Sequence, residues 1–295
     1  AFPTNASGIV LNNENGIVKL DGTGTVQAVQ VSTAANAGQD ILVPQSGTFS
    51  NLKISADTEL NITNGQPLYG STAVAAHTTL SLIGTGTLNS ALNLEGTLEA
   101  GANLTVSGAI SVADNATVSI PNANTTLTYS GGNLNVGVHT LSIAGAGRFS
   151  NYTNSPIVLA VEESVLDLTG SGTITGPVKL DGEGSTLKAS GSPTISGNIT
   201  QSDNATIEVA SNQTLSYSGT SLNLGANKLS LTGGGTLSNS NTMVLNNADS
   251  LLSLEGIGTI GVVRATVNVN SGKGIQAVES ATLGSFELAA TSFLN

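Results

Sequence analysis

The chain has 295 residues and a formal net charge of −11, yet only 9 % of its side chains are charged and 3 % aromatic, with no Trp and no Cys. That excludes a disulfide framework or thiolate metal centre, a nucleic-acid surface, since no Lys/Arg cluster exists to neutralise phosphates, and a disordered chain, which combines low hydrophobicity with high charge. No apolar run approaches the roughly 18 residues of a membrane span, while 36 Gly and abundant Asn, Ser, Thr, Val and Leu are the material of short strands and tight turns.

The chain opens on AFPTNA rather than Met, so removal of a leader and a secreted, extracellular or cell-surface location are expected. LDGTGTV (20–26) is the first of six near copies of L-x-G-x-G-T-φ, where φ is apolar. The copies begin at Leu20, Leu82, Ile143, Leu168, Leu231 and Leu254, in steps of 62, 61, 25, 63 and 23 residues. From Leu82 to Leu168 and from Leu168 to Leu254 the step is 86 residues. The short step matches one coil of a β-solenoid and the long one three, so 86 residues make four coils of about 21 or 22 residues. Long repeats therefore run over 80–165, 166–251 and 252–295, in a single solenoid spanning 1–295.

Residues 27–66 contain no copy of the motif and carry Pro44 among polar breaks. They are expected to stand outside the repeat as an irregular segment, a loop or lateral insertion. Beyond them, residues 126–151 (TLTYSGGNLNVGVHTLSIAGAGRFSN) overlay residues 214–239 (TLSYSGTSLNLGANKLSLTGGGTLSN) without a gap, and 107–120 overlay 196–209. Segments such as KLSL and ATIEVA alternate with SGG, LGAN and SDN, which reads as strands of period two bent at Gly and Asn. The tail, residues 280–295 (SATLGSFELAATSFLN), is an apolar cap or subunit-docking strand, with Phe286, Leu288, Phe293 and Leu294 as candidate assembly residues.

The expected fold is thus all-β: a parallel β-helix of about 13 or 14 rungs in which inward Leu, Ile and Val form ladders at ~4.8 Å spacing. The motif's apolar ends point inward and its glycines turn the corner where a Cβ would clash. The motif strings resemble the passenger repeats of bacterial autotransporters and haemagglutinin-like β-solenoid adhesins, over residues 67–295, and NNENGI (12–17) echoes the Asn-rich signatures of that group. The resemblance implies a right-handed coil, secretion and a surface role, and carries no catalytic residue.

Glu162, Glu163 and Asp167 form a local acidic cluster, and Asp181 with Glu183 another, which raises a polysaccharide-active enzyme; the second repeat copy has only Asp249 near the matching place, so a polar turn is the expected role. His77 and His139 precede TTLSL and TLSI, but Asn227 occupies the same place before KLSL, as a turn residue would. Tyr69, Tyr129 and Tyr217 share one repeat position, fitting a ring packed at a corner with its hydroxyl on backbone. Asp21 and Asp181 lack the tandem glycine-rich pattern of a calcium roll, and the T-x-T pairs Thr23/Thr25 and Thr85/Thr87 give way to Ala146/Arg148 and Ile257/Thr259 in a motif that does not recur on every rung, so a continuous ice-binding array is not visible. Nine N-x-[ST] sequons occur, with Asn115 and Asn204 at one repeat position as the best glycosylation candidates.

No cofactor, metal or catalytic group is expected. The function read from the sequence is an extracellular structural protein that polymerises head-to-tail with itself into a filament, sheath or layer, with host or cell-surface glycans as possible partners. The alternative is an adhesin whose solenoid is a stalk for a lateral recognition loop, and the third reading is the enzyme.

Overall fold

A computed structural model describes residues 8–34, 40–63, 65–152 and 154–288. Every regular element among them is a β-strand, and the strands pair in parallel as β-solenoid turns, about 12 in all. The expected parallel β-helix is therefore the observed fold. The count falls just below 13 or 14 because individual turns stretch to as many as 25 residues, as between Thr140 and Val165.

The chain divides into two compact units. Unit 1 comprises residues 1–134 and 144–155, and unit 2 residues 135–143 and 156–295. In unit 1, a first sheet includes Gly47–Ile54, Pro67–Val74, Thr87–Leu94, Leu104–Val106, Thr126–Tyr129 and Arg148–Asn151. A second includes Ile41–Val43, Thr58–Ile62, Thr79–Ile83, Thr97–Ala100 and Ala116–Ile120. Unit 2 repeats the plan. Its first sheet runs through Thr173–Ile174, Thr194–Ile195, Thr214–Tyr217, Thr236–Asn239, Thr259–Ala265 and Thr282–Leu288. Its second runs through Val165–Leu168, Ser185–Ala189, Ala205–Val209, Lys228–Thr232, Leu251–Glu255 and Gly274–Ala277.

The period-two pattern of the strands decides what they bury. In unit 2, Leu187, Ile207, Leu231 and Leu254 are stacked in register, and each is at most 2 % exposed. On the other wall Leu215, Leu237 and Ile260 do the same. Side chains alternate across a strand, so a register slip of one residue would turn every ladder outward.

The described part of residues 27–66 corrects the expectation of an irregular insertion. Val29–Val31, Ile41–Val43, Gly47–Ile54 and Thr58–Ile62 all pair in parallel with strands of neighbouring turns. Their inward residues Val31, Ile41, Val43, Leu52, Ile54 and Leu60 are fully buried. Turns form without the motif because in-and-out alternation, the feature that buries a ladder, is present without its glycines. Residues 35–39 lie outside the described set.

The glycine motif is a corner between the two sheets. In LTGGGTL, Leu231 is the last inward residue of one strand, Thr236 faces outward from the next, and Gly233 between them has φ +97. A Cβ on Gly233 would stand 2.4 Å from the carbonyl oxygen of Val209 in the preceding turn. The equivalent Gly145 has φ +93 and would place its Cβ 2.2 Å from the Ile120 oxygen. Asn and Asp complete other corners by reaching across turns: Asn103, Asn198 and Asn204 accept the N–H of Thr126 (2.7 Å), Thr220 (3.1 Å) and Lys228 (2.7 Å), and Asp57 that of Thr79 (2.8 Å).

Gly233→Ala is expected to destabilise unit 2 by about 1–3 kcal/mol, through positive-φ strain and the backbone clash. Gly22→Ala, at a motif glycine with nothing within 4 Å of the added carbon, should change stability by no more than about 0.5 kcal/mol. Urea unfolding of both variants measures the contrast.

Candidate functional site

The last described turn of unit 2 differs from the turns beneath it. In Thr282–Leu288, Leu283 and Phe286 register on Ile260 and Val263, two inward residues that are 0 % exposed. Leu283 and Phe286 occupy the same inward positions but stay only half-buried. Among the described residues, Thr282–Leu288 pairs with Thr259–Ala265 and with no strand on its other edge. Val278, in the same turn, is 66 % exposed. The arrangement leaves a row of backbone N–H and C=O groups beside apolar side chains with no described residue stacked on them, which is the template for adding a strand.

The expected assembly residue Phe286 therefore sits at an inward position that the described residues leave half-buried. Leu288 ends that strand, opposite Ala265. Phe293 and Leu294 lie outside the described residues. At the opposite end of the sequence, in unit 1, Leu11, Val18, Leu20 and Val26 retain 7–8 % exposure, whereas Val31, Val43 and Leu52 have none.

The tyrosines take the corner role expected of them at two of three positions. Tyr129 and Tyr217 are buried, and their hydroxyls accept the N–H of Ile110 (3.4 Å) and Ile199 (3.2 Å). Tyr217 also donates to the Thr220 carbonyl at 2.5 Å. Burial raises the phenol pKa of both above the ordinary value, partly offset by these hydrogen bonds. Tyr69 instead is 43 % exposed. The long repeat is visible here: Tyr129 pairs in register with buried Asn151 in unit 1, as Tyr217 pairs with buried Asn239 in unit 2. Beside Tyr217 a shallow polar groove is lined by Ser196, Asn198, Ser218, Thr220 and Asn241. Its amides are engaged in holding the corner, Asn198 on the Thr220 N–H and Asn241 on the Gly219 carbonyl.

The acidic candidates are dispersed by the fold. Glu162 and Glu163 are exposed in a tight turn, with Glu163 at φ +64. Asp167 faces outward from the second sheet, in register with Lys188. Lys188 in turn pairs with Glu208 at 3.0 Å. Asp181 accepts from the Ser202 hydroxyl at 2.8 Å, and Asp21 pairs with Lys19 at 2.9 Å. Among the described residues, no three His, Cys, Asp or Glu side chains converge as a metal site. His77 has φ +60, and the carbonyls of His139 and Asn227 accept the N–H of Val165 and Leu251 in the next turn, so the shared place is a turn.

Of the glycosylation candidates, Asn115 is exposed, while Asn204 is half-buried with its carbonyl oxygen bonded to Lys228. Two of the sequons coincide with corners: in N-L-T (103–105) and N-A-T (204–206) the Asn closes a corner, the apolar residue points inward and the Thr outward.

On the first sheet of unit 2, Thr214, Thr236, Thr259 and Thr282 lie in register on successive turns, and beside them run Thr173, Thr194, Ser216 and Ser238. In unit 1 the first sheet aligns Thr87, Thr105 and Thr128. The signal was in the sequence, but across turns 18 to 23 residues apart rather than within T-x-T.

No family model, curated protein or solved structure is significantly similar to this chain.

Tyr217→Phe would strand the buried Ile199 N–H and is expected to cost about 1–3 kcal/mol in denaturant unfolding. Because the folded phenol titrates above its ordinary value of 10.0, the stability it contributes is full below pH 10.0 and lost as pH rises through the folded value. Alkaline unfolding followed by circular dichroism should accordingly be less steep in Tyr217→Phe.

Proposed function

We propose that this protein is an extracellular structural subunit that joins copies of itself end to end, the open final turn of one receiving the first turn of the next. The observation that carries this reading is the half-buried state of Leu283 and Phe286 at positions where Ile260 and Val263 are sealed. A parallel strand laid on Thr282–Leu288 would satisfy its free edge and cover both side chains, and Leu11 and Val26 of the first turns, buried but for 7 and 8 % of their surface, are apolar residues of matching kind. Such a contact joins two different surfaces, so it does not close on itself and propagates as a fibre. A secreted setting accords with the resemblance of the corner motif to surface solenoids.

The test is electron microscopy and sedimentation of the purified chain. Filaments or higher oligomers are expected for the native protein and their loss for Phe286→Arg, with an unchanged circular dichroism spectrum showing that the turns still form. A native protein that stays monomeric at high concentration, including one whose residues 289–295 cover the edge of Thr282–Leu288, overturns the proposal.

A further inference from the structure

The outward face of unit 2's first sheet carries an ordered hydroxyl lattice. Six successive strands contribute Thr173, Thr194, Thr214 with Ser216, Thr236 with Ser238, Thr259 and Thr282. All eight side chains are half-buried or exposed, and none of their hydroxyls has a hydrogen-bond partner among the described residues. Several buried hydroxyls elsewhere are employed internally: Thr72 with Ser90 (2.8 Å), Ser164 on the Gly137 carbonyl (2.6 Å), Ser250 on the Gly225 carbonyl (2.5 Å).

Charge is segregated from this face. The only charged residues in these six strands are Arg264 and Glu287, toward the far ends of the two longest, where they pair with each other at 3.5 Å. The second sheet of the same unit is built differently. There Asp167, Lys188 and Glu208 stand in register, Lys228 binds Glu255 at 2.7 Å, and the Ser230 and Ser253 hydroxyls donate to that carboxylate.

Spacing and chemistry together select the occupant. Neighbouring turns set the hydroxyls ~4.8 Å apart, and alternate residues along a strand set them roughly 6.6–7 Å apart. Both repeats are close to those between oxygen atoms on the faces of hexagonal ice. Thr is β-branched and stiff at χ1, so its hydroxyl and methyl are held in place before contact and little rotamer freedom is lost on binding. A crystalline polysaccharide would be gripped by aromatic rings stacked on sugars, but the face exposes none: Tyr217 points inward and is 2 % exposed. An ionic partner would meet no charge on the lattice.

We infer that this Thr/Ser face of unit 2 binds the surface of ice, with the aligned hydroxyls taking lattice-oxygen positions and the methyl groups ordering the water between them. The inference is independent of end-to-end assembly.

The experiment measures thermal hysteresis and adsorption to a growing ice hemisphere for the purified chain, for Thr236→Lys and Thr259→Lys on the lattice, and for Thr206→Lys on the charged second sheet. The expected result is faceted crystals and a freezing-point gap with the native chain and Thr206→Lys, both lost in the two lattice variants. If a lysine variant fails to fold by circular dichroism, Thr259→Val, which keeps the shape and deletes one hydroxyl, should show a partial loss. Absence of hysteresis and adsorption in the native chain, equal loss in Thr206→Lys, full retention in folded lattice variants, or adsorption to crystalline cellulose or chitin but not to ice each overturn the inference.

Discussion

The structure depends on in-register stacking of inward apolar side chains from one turn to the next. A single turn has too little interior to fold alone, so its Leu, Ile or Val residues are buried only because the turns above and below supply matching ones. Leu187, Ile207, Leu231 and Leu254 are at most 2 % exposed for this reason, and Leu283, with no described neighbour above it, is not. The same stacking completes the backbone hydrogen bonds, since each strand's donors and acceptors are met by strands one turn away. Exposed core and unpaired edge therefore arise together wherever stacking stops, and the proposed assembly rests on that coupling.

Stacking also explains the composition. The outward positions need only be solvated and fit a pleated surface, which Thr and Ser do without charge. Corners need either a residue free to adopt positive φ, met by Gly233 and Gly145, or a short side chain that can satisfy an N–H of the adjacent turn, met by Asn103, Asn204 and Asp57. Few charges are then required, and those of unit 2's second sheet compensate one another across turns, as in Lys188 with Glu208 and Lys228 with Glu255. Glu255 is held below the usual carboxylate range chiefly by Lys228, with help from the Ser253 hydroxyl.

What could be read from the sequence was whatever is written along the chain. Alternation of period two, the motif glycines and the overlay of 126–151 on 214–239 gave the strands, corners and coil length, and the repeated Tyr129/Tyr217 position gave their structural role. What could not be read was written across the chain. The partner of Asn204 is 24 residues away, and the Thr of one turn meets its neighbour 22 or 23 residues later, so neither the bond nor the column is visible along the chain. Residues 27–66 misled for the opposite reason: they lack the recognisable corner motif yet keep the alternation that buries a ladder. The candidate end site was half legible, because an apolar tail is visible in sequence whereas the exposure of Leu283 over a sealed Ile260 needs the stacked turns.

The absence of native cysteine allows the stacking register to be measured directly by oxidative cross-linking of paired cysteines. The account predicts rapid disulfide formation in Thr236→Cys with Thr259→Cys, which face outward on adjacent turns, and little in Thr214→Cys with Thr259→Cys, two turns apart on the same column. Equal cross-linking of the two pairs, or preferential cross-linking of the second, would contradict it.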